Sequence, residues 1–162
     1  MASVTPVAGD PDIECIGLAL ESVGRLLSQG RLVEQILRQA KVDAGRADVA
    51  LLHNLSSAGD CVRLGELADR LRVDAPTVTR RVQQLGGRQL LRRVPDPRDK
   101  RASLVHLTPA GARLVQRVLC ARRTWLERVL DRWSERDRAE FGRLLARFVT
   151  DVGKDLEGPD GH

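Results

Sequence analysis

The stretch LGELADRLRVDAPTVTRRVQQL, Leu64 to Leu85, constrains the fold more tightly than any other part of the chain. Leu64, Leu67, Ala68 and Leu71 recur at helical spacing, which predicts a compact helix with one apolar face. The tripeptide RVD then leaves room only for a tight turn before Asp74, an N-cap residue, opens a second helix over APTVTRRVQQLGGRQ. Pro76 is tolerated in its first turn, where no backbone donor is needed. Two helices joined this closely predict a helix-turn-helix. On the second helix Val78, Val82 and Leu85 must face the core, so Pro76, Thr77, Arg80, Gln83 and Gln84 point outward.

What points outward has a chemical character. Arg and Gln can bond guanine and adenine edges bidentately in the major groove of DNA, and Thr suits a phosphate or a thymine methyl. A merely solvated polar face would look similar, but the segments that follow favour the first reading. LLRRV and ASLVHLT read as two strands, and DPRDKR, Asp96 to Arg101, forms their connecting tip. A plain hairpin needs only a two-residue turn. Five charges and a proline at a protruding tip, directly after an outward-facing polar helix, predict a wing whose arginine enters a minor groove. The acidic residues would orient the arginines: Asp96 is expected to pair with Arg98, while Lys100 and Arg101 meet phosphates. The candidate DNA contacts are thus Thr77, Thr79, Arg80, Arg81, Gln83 and Gln84 on the helix, with Asp96, Arg98, Lys100 and Arg101 on the wing.

Charge placement supports a nucleic-acid partner. Arg63 to Arg101 holds 11 basic and 5 acidic residues, a net of +6 in a 162-residue chain whose total is +5, so the remainder carries −1. Bias toward arginine, 24 of the 27 basic residues, explains Arg over Lys but not this clustering. The only aromatics are Trp125, Trp133, Phe141 and Phe148, which argues against a base-stacking platform for single strands. No stretch approaches the roughly 18 apolar residues of a membrane span, and the first residues lack a basic start followed by an apolar run. A soluble, cytoplasmic protein is expected.

The flanking segments read as helices. Asp10-Pro11 predicts a start, with one long helix to about Lys41 carrying Val23, Leu26, Val33, Leu37 and Ala40 on a stripe that seeks a partner helix. Asp43 is the expected cap of the next helix, which SSAGD ends. Thr108 and Pro109 start a helix expected to extend through Trp125 to Trp133, and Ser134 with Asp137 caps a last helix striped by Phe141, Leu144, Leu145, Phe148, Val149 and Val152. The fold class is mainly α with a small β-hairpin wing: a winged helix-turn-helix plus a helical dimerisation region. Its expected organisation is a disordered tail at 1–9, N-terminal helices at 10–60, the DNA-binding domain at 61–108, dimerisation helices at 109–157 and a flexible tail at 158–162.

LGELADRLRVDAPTVTRRVQQL, DPRDKRA and VHLTPAG, in this order and spacing, resemble the MarR-type winged-helix transcriptional regulators over nearly the whole chain. The resemblance implies a sequence-specific DNA-binding regulator, a repressor acting as a homodimer whose first and last two helices interlock over a pseudo-palindromic operator. It also implies release by a small ligand, aromatic or anionic in this reading, or by cysteine oxidation. Two positions depart from the family's pattern. Ala75-Pro76 replaces a common Pro-Ser pair, losing a hydroxyl. Gln89 stands where a glycine usually ends the recognition helix, and Gly86-Gly87 come earlier, so the helix is expected to end sooner.

Other chemistries find less support. Cys15 lies roughly where peroxide-sensing members of that family carry a reactive thiol, yet the chain has none of their supporting tyrosines, and a small buried apolar role is expected. Cys61 and Cys120 are isolated, and three separated cysteines fit reduced thiols rather than a disulfide framework. His53 and His106 lack metal-ligand spacing, so no metal and no cofactor are expected. Trp125 and Trp133 are assigned to one face of the long helix. No phosphate-binding glycine loop or nucleophile motif is present, so the chain is not read as an enzyme. The alternatives that stay open are a thiol-based redox regulator and a winged helix used for general DNA or protein contacts.

Overall fold

A computed structural model describes residues 10–59, 61–99 and 102–158. The expected tails, apart from Gly158, lie outside these residues, as do Lys100 and Arg101, two of the candidate DNA contacts. Among the described residues, seven helices and three short strands follow in the order α1 (Pro11–Ser28), α2 (Arg31–Gln39), α3 (Arg46–Ser57), β1 (Val62–Arg63), α4 (Leu64–Leu71), α5 (Ala75–Gly87), β2 (Leu91–Pro95), β3 (Ser103–Leu107), α6 (Pro109–Val129) and α7 (Glu135–Glu157). They fall into two compact units, one ending at Arg122 and the other starting at Arg123.

The single N-terminal helix expected from the apolar stripe is instead two. Gly30 adopts φ +71°, a left-handed conformation that costs glycine little, and it separates α1 from α2. A periodic stripe runs through such a break unchanged, which is why periodicity alone does not reveal it. Asp10 caps α1 as expected, its Oδ1 accepting the Asp12 N–H at 3.0 Å. Helix α3 is capped at Gly45 rather than Asp43; the Asp48 carboxylate accepts the Gly45 N–H at 3.4 Å.

The core of the first unit is built from the residues that the helical spacing picks out. Leu67 and Ala68 of α4 and Val78, Val82 and Leu85 of α5 are buried against Leu51, Leu52 and Leu55 of α3. The extended segment at Cys61–Arg63 supplies a third strand: the antiparallel order is β1-β3-β2, with Val62 opposite Val105 and Arg93 opposite Val105 on the other side. Val105, the middle of the central strand, is fully buried. A smaller cluster packs Ile36 of α2 and Ala40, its C-cap, on Ala121 of α6.

The corner between α5, β2 and α6 is clasped tightly. The Thr108 hydroxyl donates to the Gln89 carbonyl at 2.7 Å and accepts the Gly111 N–H at 3.1 Å. The Thr108 N–H donates to the Leu90 carbonyl at 3.1 Å. Gly111 is required there, because a Cβ would overlap the Leu90 carbonyl oxygen and sit 2.8 Å from Leu107 Cδ1.

In the second unit, Ser134 caps α7 by accepting the Asp137 N–H at 3.1 Å. Helix α6 stops at Val129, so Trp133 lies in the connector, not on the helix face with Trp125. Its indole meets the Phe141 ring edge-on, centroids 5.3 Å apart. The stripe expected on α7 is real but bare: Phe141, Leu144, Leu145, Phe148, Val149 and Val152 are all exposed in the single chain. On α1, Ile13, Ile16, Leu18, Val23 and Leu26 are exposed as well.

Candidate nucleic-acid interface

Helix α5 begins with a strong local signal. The Asp74 carboxylate accepts both the backbone N–H and the hydroxyl of Thr77, each at 2.8 Å. Those two bonds, the backbone one first, hold the Asp74 carboxyl below its usual range. With Val78, Val82 and Leu85 buried, the helix turns Pro76, Arg80, Gln83, Gln84 and Gly87 to solvent. Their spacing of three and four places them on one stripe. Arg80, Gln83 and Gln84 make no side-chain hydrogen bond among the described residues, so their donors and acceptors are free for a partner.

Three of the candidate contacts on α5 are committed internally. Thr77 gives its hydroxyl proton to Asp74, and Thr79 gives its own to the Ala75 carbonyl at 2.8 Å. Arg81 Nη1 bonds Asp48 Oδ1 at 3.1 Å, tying the middle of α5 to the first turn of α3. At the other end, Arg88 Nη2 bonds the Asp43 carbonyl oxygen, in the connector before α3. These two arginines orient the helix from behind while Arg80 and the glutamines stand in front.

Helix α5 does not end early. Gly86 and Gly87 are both helical, and Gln89 takes the left-handed conformation, φ +57°, at the position where glycine is usual. The Leu90 N–H reaches the Leu85 carbonyl at 3.0 Å and the Gln89 N–H the Gly86 carbonyl at 2.9 Å, a complete Schellman closure. The closure uses backbone groups only, so a non-glycine residue completes it at a conformational cost.

The wing departs from expectation at Asp96. Its carboxylate accepts the Arg98 backbone N–H at 2.8 Å, and its ion pair is with Arg63 Nε of β1, also at 2.8 Å. The expected Asp96–Arg98 side-chain pair is absent: the turn brings the carboxylate onto the backbone donor two residues on, and the ion pair forms with Arg63 instead. Asp96 is only 3% exposed. The bonds from Arg98 and Arg63 hold its carboxyl below the usual range. Asp96 therefore fixes the root of the wing, and the Arg98 side chain is exposed. Arg63 is a residue that local sequence reading misses, since its partner lies 33 positions away. Arg92 and Arg93 on β2 are exposed beside the wing.

A separate cleft of about 180 Å³ lies among α2, α3 and α6. Val33, Val49, Val115, Val118 and Leu119 wall it, and Arg46, Arg122 and His53 stand at its rim. Cys15, Cys61 and Cys120 are all exposed, which corrects the expectation that Cys15 is a buried apolar side chain. Cys15 lies on α1, none of whose residues is buried by the described residues. Among the described residues no group of His, Cys, Asp and Glu could hold a metal ion, and no helix is long and apolar enough to cross a membrane.

Comparison with known proteins accords with this geometry. A family model described as "MarR family" matches residues 46–103, the segment from the start of α3 to the first residue of β3. The chain is 37% identical over 127 residues to the uncharacterized HTH-type transcriptional regulator Mb0904 of Mycobacterium bovis, covering 73% of this chain and 87% of that protein. It is 33% identical over 103 residues to the uncharacterized HTH-type transcriptional regulator YxaD of Bacillus subtilis, covering 64% of this chain and 71% of that one. Among solved structures, a MarR family protein from Bacillus stearothermophilus superposes with a TM-score of 0.75 at 22% identity, over 86% of this chain and 97% of the other.

Proposed function

Because the chain belongs to the MarR family of DNA-binding transcriptional regulators, we propose that it is a homodimeric repressor that reads a pseudo-palindromic operator and lets go of it when a small anionic ligand binds. The observation that carries this reading is the free stripe of Arg80, Gln83 and Gln84 on a helix braced from behind by Asp48 and Asp43. A base-reading helix needs that combination: unpaired side chains in front and a fixed register behind. Arg98, with Lys100 and Arg101 beyond the described residues, would enter or flank the adjacent minor groove. Asp96 and Arg63 act as positioning residues for that wing. Thr77, Thr79 and Arg81 serve α5 itself and contact the phosphate backbone at most.

The partner for the bare stripes of α1 and α7 is a second copy of the chain. Burying them between two subunits removes apolar area that neither compact unit covers alone. A twofold axis then presents two recognition helices to two half-sites about 34 Å apart. The operator places the protein in the cytoplasm.

The cleft among α2, α3 and α6 is the proposed ligand site. Its volume lies below the roughly 300–1,000 Å³ of sites for drug-sized molecules, so it suits a single-ring acid: apolar walls for the ring, Arg46 and Arg122 for the carboxylate. It touches α3, and α3 is bonded to α5 through Asp48 and Arg81. A tenfold loss of DNA affinity needs only about 1.4 kcal/mol of coupling along this route. Thiol-controlled release is the second reading, favoured by the exposure of all three cysteines.

The test starts from a random duplex pool bound to the full chain. Enrichment of an inverted repeat is expected; no enrichment would leave only general DNA contact and defeat the proposal. The enriched duplex is then titrated with benzoate, zinc and peroxide against the unmodified chain and a variant with Cys15, Cys61 and Cys120 all changed to serine. Release by benzoate in both proteins, blunted by Arg122→Ala, is the expected result. Release by peroxide alone, lost in the serine variant, would move the control to the thiols.

A further inference from the structure

The first turn of α5 differs in chemistry from the rest of its exposed stripe. Arg80, Gln83 and Gln84 are polar and free, whereas the turn before them presents Ala75 and Pro76, both exposed, with Val73 of the preceding turn 42% exposed. The two hydroxyls nearby have no proton to offer, since Thr77 donates to Asp74 and Thr79 to the Ala75 carbonyl. Pro76 lacks a backbone N–H, and the Thr77 N–H is already bonded to Asp74. The side chains of Ala75 and Pro76, at the head of a polar stripe, cannot bond a base edge. They can, however, pack on the one apolar group that a base pair displays in the major groove, the C5 methyl of thymine.

We propose that Pro76, flanked by Ala75, reads a thymine methyl in each operator half-site, so that the start of the recognition helix selects by methyl contact while Arg80 and the glutamines select by hydrogen bonds. The inference rests on α5 being the base-reading helix. Pro76 and Arg80 are four residues apart on one stripe, a separation of about 6 Å along the helix axis. Base pairs rise about 3.4 Å each. The methyl therefore lies within about two base pairs of the base that Arg80 bonds. The contact needs no new donor and leaves the Asp74 cap intact.

Deoxyuridine, which lacks only the methyl, supplies the test. With the full chain and the duplex enriched from a random pool, each thymine is replaced singly by deoxyuridine and the affinity measured. One replacement per half-site should weaken binding about three- to ten-fold, the worth of one methyl group in a dry contact. It should fall within two base pairs of the position whose preference Arg80→Ala relaxes. Pro76→Ser, which removes the apolar ring and leaves the cap residue untouched, should abolish this penalty while the duplex remains preferred over a scrambled one; Ala75→Ser should reduce it. If every deoxyuridine duplex binds as tightly as the parent, or the penalty persists unchanged in both variants, the methyl reading is overturned and base reading by α5 stands. If the pool enriches no sequence, base reading by α5 falls, and the methyl contact with it.

Discussion

Arg80 and Lys100 carry the same charge but are proposed to meet DNA in different ways. Arg80 belongs to a helix tied down by Asp74, Asp48 and Asp43, so in the proposed complex its guanidinium would meet one base position. Arg80→Ala or Gln84→Ala should cost about 1–3 kcal/mol on the selected duplex and little on a scrambled one. Lys100, proposed as a phosphate contact, should weaken both alike when changed to Ala and flatten the dependence of log affinity on log salt. Anisotropy titrations at several salt concentrations separate the two. Asp96 acts at the same scale through the fold. Its folded carboxyl is held below the ordinary aspartate value, so as pH falls the unfolded chain takes up the proton first and unfolding is favoured. The stabilisation is complete above about pH 4 and is lost as the pH drops through the lowered folded value. Asp96→Asn should therefore lower Tm at pH 7 and narrow the gap between Tm at pH 7 and at pH 3. An unchanged gap in thermal scans would remove Asp96 from this role.

The elements most legible in the sequence were those specified by contiguous residues. Helices α4 and α5, the hairpin after them and the caps at Asp10, Asp74, Thr108 and Ser134 each follow from a period or a capping side chain within a few positions. What the sequence concealed depends on a backbone torsion or on a distant partner. Gly30 divides α1 from α2 without disturbing the apolar period, and Arg63 finds Asp96 across the sheet. Gln89 is the most instructive case. Reading its departure from glycine as an early helix end assumes that the residue dictates the torsion, whereas the Thr108 and Leu90 bonds around the corner hold that torsion in place. The left-handed backbone is then a cost that glycine would relieve. Gln89→Gly should raise stability by about 0.5–1 kcal/mol with DNA affinity unchanged, measured by urea unfolding and by anisotropy. A loss of stability would mean that the Gln89 side chain contributes more than its torsion costs.

At the scale of the whole molecule, the proposed function gives the apolar stripes and the basic winged helix separate tasks. The chain concentrates its net positive charge between Arg63 and Arg101 and carries exposed apolar side chains on α1 and on α7; in the proposed dimer the first would meet DNA and the stripes would meet a second copy. The dimer should bury more than roughly 2,000 Å² in total, as obligate pairs do. Sedimentation at micromolar concentration should find only the dimer, and two charged substitutions on the α7 stripe, Leu145→Asp with Val149→Asp, should dissociate it and abolish tight operator binding together. A stable monomer with full operator affinity would refute the symmetric arrangement. The most direct test of the central claim is a competition at physiological salt between the selected duplex and a scrambled duplex of the same composition. Unmodified protein should prefer the selected duplex by about a thousandfold or more, and Arg80→Ala should erase much of that preference. Equal affinity for the two duplexes, or a preference untouched by Arg80→Ala, would contradict the account.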